Sequence, residues 1–253
     1  MIRAENVVKT FGDQPVLKGI DFLFEAGKNN LIIGRSGAGK TVLLKILVGL
    51  QVPTSGIVWY DDVNFTGLDK EGMRAIRMKI GMLFQGSALF DSLTVEENIR
   101  FPLDMFTPMT LKQKVERVNY CLERVNLADT NKKYPSELSG GMQKRVGIAR
   151  AIVLNPKYLF CDEPNSGLDP KTAIMIDELI SSITEENNIT TVINTHDMNS
   201  VMEIGDNICF LHEGGLEWNG TKEEVLASDN ENLQSFIFAS PFLQKLRKSA
   251  LGK

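Results

Sequence analysis

The stretch from Asn30 to Leu50, NLIIGRSGAGKTVLLKILVGL, restricts the fold more than any other part of the chain. Leu31, Ile32 and Ile33 predict an apolar strand, Gly34-Arg35-Ser36-Gly37-Ala38-Gly39-Lys40-Thr41 follows, and an apolar helix then runs to Gly49. A glycine-rich loop closing on Lys-Thr between strand and helix is the phosphate-binding P-loop pattern in its required setting. The glycines let the backbone curl, so that successive N–H groups and the positive end of the helix converge on phosphates. In that pattern Lys40 reaches the β- and γ-phosphates and the Thr41 hydroxyl ligates Mg²⁺. A chain built this way is expected to be α/β and to bind a nucleoside triphosphate.

The chain has 253 residues, enough to bury a full core, and its 43% hydrophobic and 24% charged residues are ordinary for a globular protein. The net charge is −4 and no arginine-rich stripe or basic arm interrupts it, which argues against nucleic acid as a partner. Met1 leads straight into strand-like IRAENVV, so no secretory signal is expected. No apolar run approaches the ~20 residues that span a bilayer. Cys121, Cys161 and Cys209 lack metal-ligand spacing and read as reduced, buried thiols.

Residues 2–28 alternate like strands broken by turns at Gly12-Asp13 and Gly27, with Phe11 either a core aromatic or a contact residue. GIVWYDDVN predicts a further strand, and KIGMLFQ a short buried one ending in Gln85. GSALFDSLTVEENIRFPL reads as a loop with bulky apolar side chains at Leu89, Phe90, Phe101 and Leu103, either packed beneath it or offered to a partner. Thr110 and Gln113 form a capping box before a helix whose Leu111, Val115, Val118, Leu122 and Val125 share one face. Ser139-Gly140-Gly141 stands at the start of the helix QKRVGIARAIVL and is either a second anion site or a simple N-cap.

The strand Tyr158-Leu159-Phe160-Cys161 delivers Asp162 and Glu163 to its C-terminal end, the edge at which open α/β sheets bind ligands. Downstream of a P-loop, Asp162 suits Mg²⁺ and Glu163 suits polarising water. Asn165 to Pro170 make a turn before a helix, ITTVINT leads to His196, and Asn207 to Trp218 form a hairpin. From Ser228 onward, the tail carries apolar residues with Lys245, Arg247, Lys248 and Lys253. It is a candidate amphipathic helix for a membrane surface or a dimer partner, or a frayed terminus.

Over about residues 1–225 these motifs resemble the nucleotide-binding subunit of ATP-binding-cassette (ABC) transporters. GRSGAGKT resembles its Walker A, Gln85 its Q-loop, LSGGM (138–142) its signature, YLFCDEP its Walker B, SGLD (166–169) its D-loop and His196 its switch histidine. The resemblance implies a P-loop NTPase (RecA-like) core with a mainly parallel sheet, formed by 1–91 and 157–225. It adds an N-terminal antiparallel β subdomain, an inserted helical subdomain over 92–156, and leaves 226–253 as a tail. It implies ATP and Mg²⁺ as ligands and a head-to-tail dimer. In that dimer, Ser139, Gly140 and Gly141 of one copy meet the γ-phosphate on the P-loop of the other. Phe11 then stacks on adenine, Glu163 is general base, His196 positions the γ-phosphate and water, Gln85 couples Mg²⁺ to the partner subunit through the adjoining loop, and Asp169 of the D-loop belongs to the nucleotide-binding set. Met142 stands where the family usually has Gln, with Gln143 one place later.

The runs GMLFQGSALFDSLTVEENIRFPL, SGGMQKR and CDEPNSGLDP resemble more narrowly the ATPases of the Mla/Mkl group, which drive phospholipid transport between bacterial membranes. That resemblance implies an integral-membrane permease, an MCE-domain lipid-binding protein, a STAS-domain regulator, and a place on the cytoplasmic face of the inner membrane. The alternatives are the ATPase of an amino-acid or metal-chelate importer, a mechanotransmitting ABC subunit that moves no substrate, and a non-transport ABC ATPase.

Overall fold

Two sheets built by different rules organise the protein; in this computed structural model the structure describes residues 1–238. β1 (Ile2–Phe11), β2 (Gln14–Phe24), β4 (Ser55–Tyr60) and β5 (Val63–Asn64) form an antiparallel sheet in the order β2-β1-β4-β5. β3 (Asn29–Ile33), β6 (Ile80–Leu83), β7 (Tyr158–Asp162), β8 (Thr190–Asn194), β9 (Asn207–His212) and β10 (Gly215–Gly220) form the second sheet, ordered β10-β9-β3-β8-β7-β6. Every pairing in the second sheet is parallel except β9 with β10.

The parallel strands read as apolar runs because both their faces are covered. Leu31 and Ile33 of β3, with Leu159 and Cys161 of β7, enter one core cluster; Ile32, Tyr158 and Phe160 point to the other. The second cluster is closed by α1 (Lys40–Leu47) and the antiparallel sheet, whose Tyr60 meets Tyr158 edge-on. The first is closed by α3 (Val95–Phe106), α4 (Leu111–Arg124), α5 (Gly140–Ile152), α6 (Pro170–Asn187) and α7 (Met198–Ile204). α2 (Lys70–Arg77) leads into β6, with Asp69 as its N-cap.

Several local expectations change. GIVWYDDVN is not one strand but β4 turning through Asp61 and Asp62 into β5. Phe101 and Leu103 are not in a loop: α3 begins after Thr94, where Thr94 and Glu97 make a reciprocal capping box, and it continues through Pro102. A proline inside a helix costs about 3 kcal/mol. The burial of Val95, Ile99 and Leu103, each worth about 1.5–3 kcal/mol, offsets it. In α4 the expected stripe holds for Val118, Leu122 and the following Val125, whereas Leu111 is exposed. α5 starts at Gly140, three residues before the predicted Gln143.

The tail packs, within its described part. α8 (Lys222–Ala227) and α9 (Glu231–Ile237) bury Val225, Leu233 and Ile237 in the first core cluster, and Phe236 stacks on Phe210 at 5.4 Å. The basic segment with Lys245, Arg247, Lys248 and Lys253 lies outside the described residues. All three cysteines are free and buried.

Candidate functional site

At the C-terminal end of β3 the backbone turns through Gly34 (φ 145), Gly37 (φ 82) and Gly39 (φ 100) before entering α1. Two of these positions admit no side chain for a second reason. A Cβ on Gly34 would strike the Leu211 carbonyl, and one on Gly39 would lie 2.6 Å from Leu17 Cδ2 and 3.0 Å from the Val16 carbonyl. Gly39 is the N-cap of α1 and no side chain caps the helix, so its first N–H groups face the loop without a side-chain acceptor. Lys40 Nζ donates to the Gly34 carbonyl at 2.8 Å and the Arg35 carbonyl at 3.3 Å, drawing the loop around itself. Burial lowers the pKa of this ammonium, while Glu163 and Asp162 favour its charge.

The loop opens on a cavity of about 490 Å³ lined by Gly34 to Gly37, Gly39, Lys40, Thr41, Glu163 and His196, with Val16 and Phe236 as apolar walls. β7 and β8 bring the carboxylates to this edge. Asp162 Oδ1 accepts from Asn194 Nδ2 at 2.6 Å, and the same amide lies 3.4 Å from Thr41 Oγ1. Desolvation raises the pKa of Asp162, against the lowering effect of the Asn194 hydrogen bond. Glu163 takes a left-handed backbone (φ 48), pinned by its N–H to the Asn194 carbonyl at 2.8 Å. Its two carboxylate oxygens are divided: Oε2 accepts from Gln85 Nε2 at 2.9 Å, and Oε1 lies 3.0 Å from His196 Nδ1.

Phe11, Ser139, Gly140, Gly141 and Asp169, all expected at the site, stand apart from the cavity. Ser139 caps α5, its hydroxyl accepting from the Met142 N–H at 3.3 Å. Gly140 and Gly141 open that helix, and a Cβ on Gly141 would meet Thr172 Cγ2 at 2.5 Å. Phe11 is 46% exposed at the end of β1, with Lys9 Nζ 4.9 Å from its ring centroid, so it is no core aromatic. Asp169 is the N-cap of α6 and accepts from the Thr172 N–H and hydroxyl, which hold its pKa down. Met142 packs against the first core cluster, and Gln143 donates to the Pro135 and Leu138 carbonyls.

Two residues of this site had no motif to announce them. Asn194 looks like a polar interruption of a buried strand, yet it spans Thr41 and Asp162. Lys144, 5% exposed, reaches from α5 to the carbonyls of Gln85 and Glu163 (3.3 Å to the latter). The run Gln143-Lys144-Arg145 is a visible signal, but it reads as a solvated cationic face.

The donors present fit a magnesium triphosphate. Thr41, Asp162 and Gln85 offer the hard oxygens that Mg²⁺ prefers, and the buried Asn194 Oδ1 has no protein partner. Uncapped N–H groups and a buried ammonium beside them suit phosphate oxygens. Fold and site together define a P-loop nucleoside triphosphatase.

The ABC transporter family profile matches residues 17–166. The methionine import ATP-binding protein MetN of Carboxydothermus hydrogenoformans is 43% identical over 230 residues, covering 89% of this chain and 67% of that protein. The chloroplastic protein TRIGALACTOSYLDIACYLGLYCEROL 3 of Arabidopsis thaliana is 36% identical over 257 residues, covering 95% of this chain and 74% of that one. Among solved structures, the dimeric bacterial ABC transporter cassette MJ0796 superposes with a TM-score of 0.80 at 35% identity, over 88% of this chain and 99% of that chain. A post-hydrolysis state of MJ0796 bound to ADP and Pi superposes equally well, at 34% identity over the same shares of the two chains. The chain belongs to the ABC transporter family. It is an ATPase that binds ATP with Mg²⁺.

Proposed function

We propose that this chain powers an ABC importer as a homodimer docked on an integral-membrane permease at the cytoplasmic face of the inner membrane. The observation that carries the catalytic part is the division of Glu163 between Gln85 and His196 beside the P-loop. Glu163 is the general base, taking a proton from the attacking water. His196 holds the γ-phosphate and that water in line. Lys40 and the loop N–H groups of Gly34 to Gly39 bear the phosphate charge; Thr41, Asp162 and Gln85 hold Mg²⁺, which neutralises that charge further. Catalysis of this kind is mostly positioning and charge stabilisation. Phe11 stacks on adenine. Ser139, Gly140 and Gly141 complete the γ-phosphate site of the second copy, with Asp169 at the same contact. The helical segment 92–156 then carries the signature as a subdomain of its own, beside a core of 1–91 and 157–225.

The permease contact is supported by an apolar groove of about 640 Å³ between α2, β6 and α3, lined by Phe84, Phe90, Phe101 and Phe106 together with Arg74, Arg77 and Arg150. Phe90 and Phe101 pack with ring centroids 5.0 Å apart and remain about two-fifths exposed. Phe84 of the groove directly precedes Gln85, two residues beyond the end of β6, so a helix seated there reaches the Mg²⁺ ligand through one loop.

The cargo we infer first is a small solute of the amino-acid class, because the matched importers act on methionine. Phospholipid is the second reading, favoured by the plant relative that aligns over nearly the whole chain and is named for a galactolipid. The expected Mla-type partners, an MCE-domain protein and a STAS-domain regulator, gain nothing from the named relatives and stay tied to this second reading. The test is purification of the Glu163→Gln chain from native membranes with ATP. Hydrolysis should drop at least a hundredfold and an ATP-bound dimer should accumulate; unimpaired turnover would sink the general-base assignment. A permease recovered with a solute-binding protein supports the importer, and one recovered with phospholipid and an MCE-domain protein overturns it in favour of lipid transport.

A further inference from the structure

The catalytic scheme leaves one buried carboxylate unused. Asp177 lies on α6 and is 4% exposed. Its Oδ2 accepts a hydrogen bond of 2.8 Å from Ser200 Oγ, on α7. Ser200 Oγ accepts in turn from Asn165 Nδ2 at 2.9 Å, in the loop between β7 and α6. Ser200 is fully buried and Asn165 nearly so.

This relay has one polarity. An ionised carboxylate has no proton to give, so Ser200 must turn its own toward Asp177, leaving its lone pairs to receive Asn165. Two members of the relay, Asn165 and Ser200, stand close in the chain to the residues of the site. Asn165 stands two residues after Glu163, whose left-handed backbone persists only where its surroundings hold it. The loop's other ties are the Glu163 N–H to the Asn194 carbonyl, Lys144 on the Glu163 carbonyl, Ser166 N–H to the Glu163 carbonyl at 3.2 Å and Leu168 N–H to the Asn165 carbonyl at 3.2 Å; of all these ties, only the relay reaches α7. Ser200, four residues after His196, lies in the first turn of α7. One hydroxyl therefore joins the loop of the base to the helix that follows the switch histidine.

We propose that Asp177 is a positioning residue for ATP hydrolysis, acting through Ser200 and Asn165 to keep Glu163 and His196 in register across the ends of β7 and β8. The proposal rests on Glu163 being the general base. Asp177 is poorly explained as packing. Burial pushes its carboxyl up to about 6 although Ser200 and Asn165 favour the ionised form, and the acidic side chains bearing on it, Asp197 at the N-cap of α7 and Glu203 within that helix, push the same way. The Cys161 thiol on β7 also faces it and is itself held protonated by burial. A neutral residue of the same shape would be easier to bury.

The experiment compares Asp177→Asn, Asp177→Ala and Ser200→Ala with the full wild-type chain, measuring thermal unfolding, ATP affinity and turnover. Asp177→Asn should unfold about 2–4 °C higher at pH 8, since no charge is buried. It should nevertheless lose about five- to tenfold in kcat with KM for ATP within about twofold, because an amide can also donate and so scrambles the relay. Asp177→Ala and Ser200→Ala should fall further, about 10- to 30-fold, so the amide partly rescues. Wild-type kcat should decline below about pH 6 as Asp177 takes up a proton, a limb that Asp177→Asn lacks. An Asp177→Asn chain that is both stabilised and fully active across pH overturns the proposal, as does one that loses ATP binding along with stability. Glu163→Gln assayed alongside separates the premises. If it hydrolyses ATP normally, the base assignment and the proposal fall together; if it is inactive beside a fully active Asp177→Asn, the proposal falls alone.

Discussion

The two helix N-termini to which the proposed function gives an anion, those of α1 and α5, are built differently. α1 begins at a glycine in the left-handed region with no capping side chain, folded around its own lysine. α5 begins at Ser139, whose hydroxyl already receives a backbone N–H from the first turn. The first is closed on itself, with loop, ammonium and carboxylates converging on one cavity. The second is satisfied by its own cap and stands as a helix start without any ligand. A terminus that must grip phosphate alone is left uncapped and built on glycine. One that only completes another site is capped and at rest.

The largest effect should come from breaking the closed terminus. Gly39→Ala demands a positive φ of an L-residue and drives a methyl into Leu17 and the Val16 carbonyl. ATP affinity measured by titration should fall more than about a hundredfold, with a stability loss of about 2–3 kcal/mol in denaturant unfolding. The comparison fails if this chain binds ATP as wild type does. Ser139→Ala probes the other terminus: loss of the cap should cost about 1 kcal/mol of stability. Turnover should fall roughly tenfold while ATP affinity of the separate chain stays within about twofold. A matching loss of affinity would mean that α5 serves the cavity of its own chain. The smallest effect belongs to Met142→Gln, since Met142 faces the core and Gln143 already holds the preceding loop. Turnover should stay within a few-fold, and a hundredfold change would show that the side chain at 142 takes part in the anion contact.

What was legible in the sequence follows the same division. The P-loop could be read because its demands are local: glycines where φ is positive, a lysine and a hydroxyl in the next turn. The parallel strands could be read because burial on both faces leaves an unbroken apolar run. Asn194 could not, because its role exists only once β8 lies beside β7 and β3 and puts its amide between Thr41 and Asp162. Lys144 was hidden by its neighbours Gln143 and Arg145, which make a buried ammonium look like one member of a wet face. The start of α3 was masked by Pro102, whose helix-breaking tendency yields here to three buried side chains and a capping box. Local chemistry survives as a string of letters; proximity across a sheet does not.

Lys144 carries one more consequence. It sits four residues beyond Gly140, about 6 Å along the helix axis. From there it holds the carbonyls of Gln85 and Glu163 in its own chain, while in the proposed dimer Ser139 and Gly140 would serve the second copy. A single turn of α5 is thus common ground for two catalytic centres once two chains pair. In the proposed dimer, whatever displaced that turn at one nucleotide would pull on the Glu163 loop at the other. The two sites of such a pair would fire as a correlated couple rather than as independent engines.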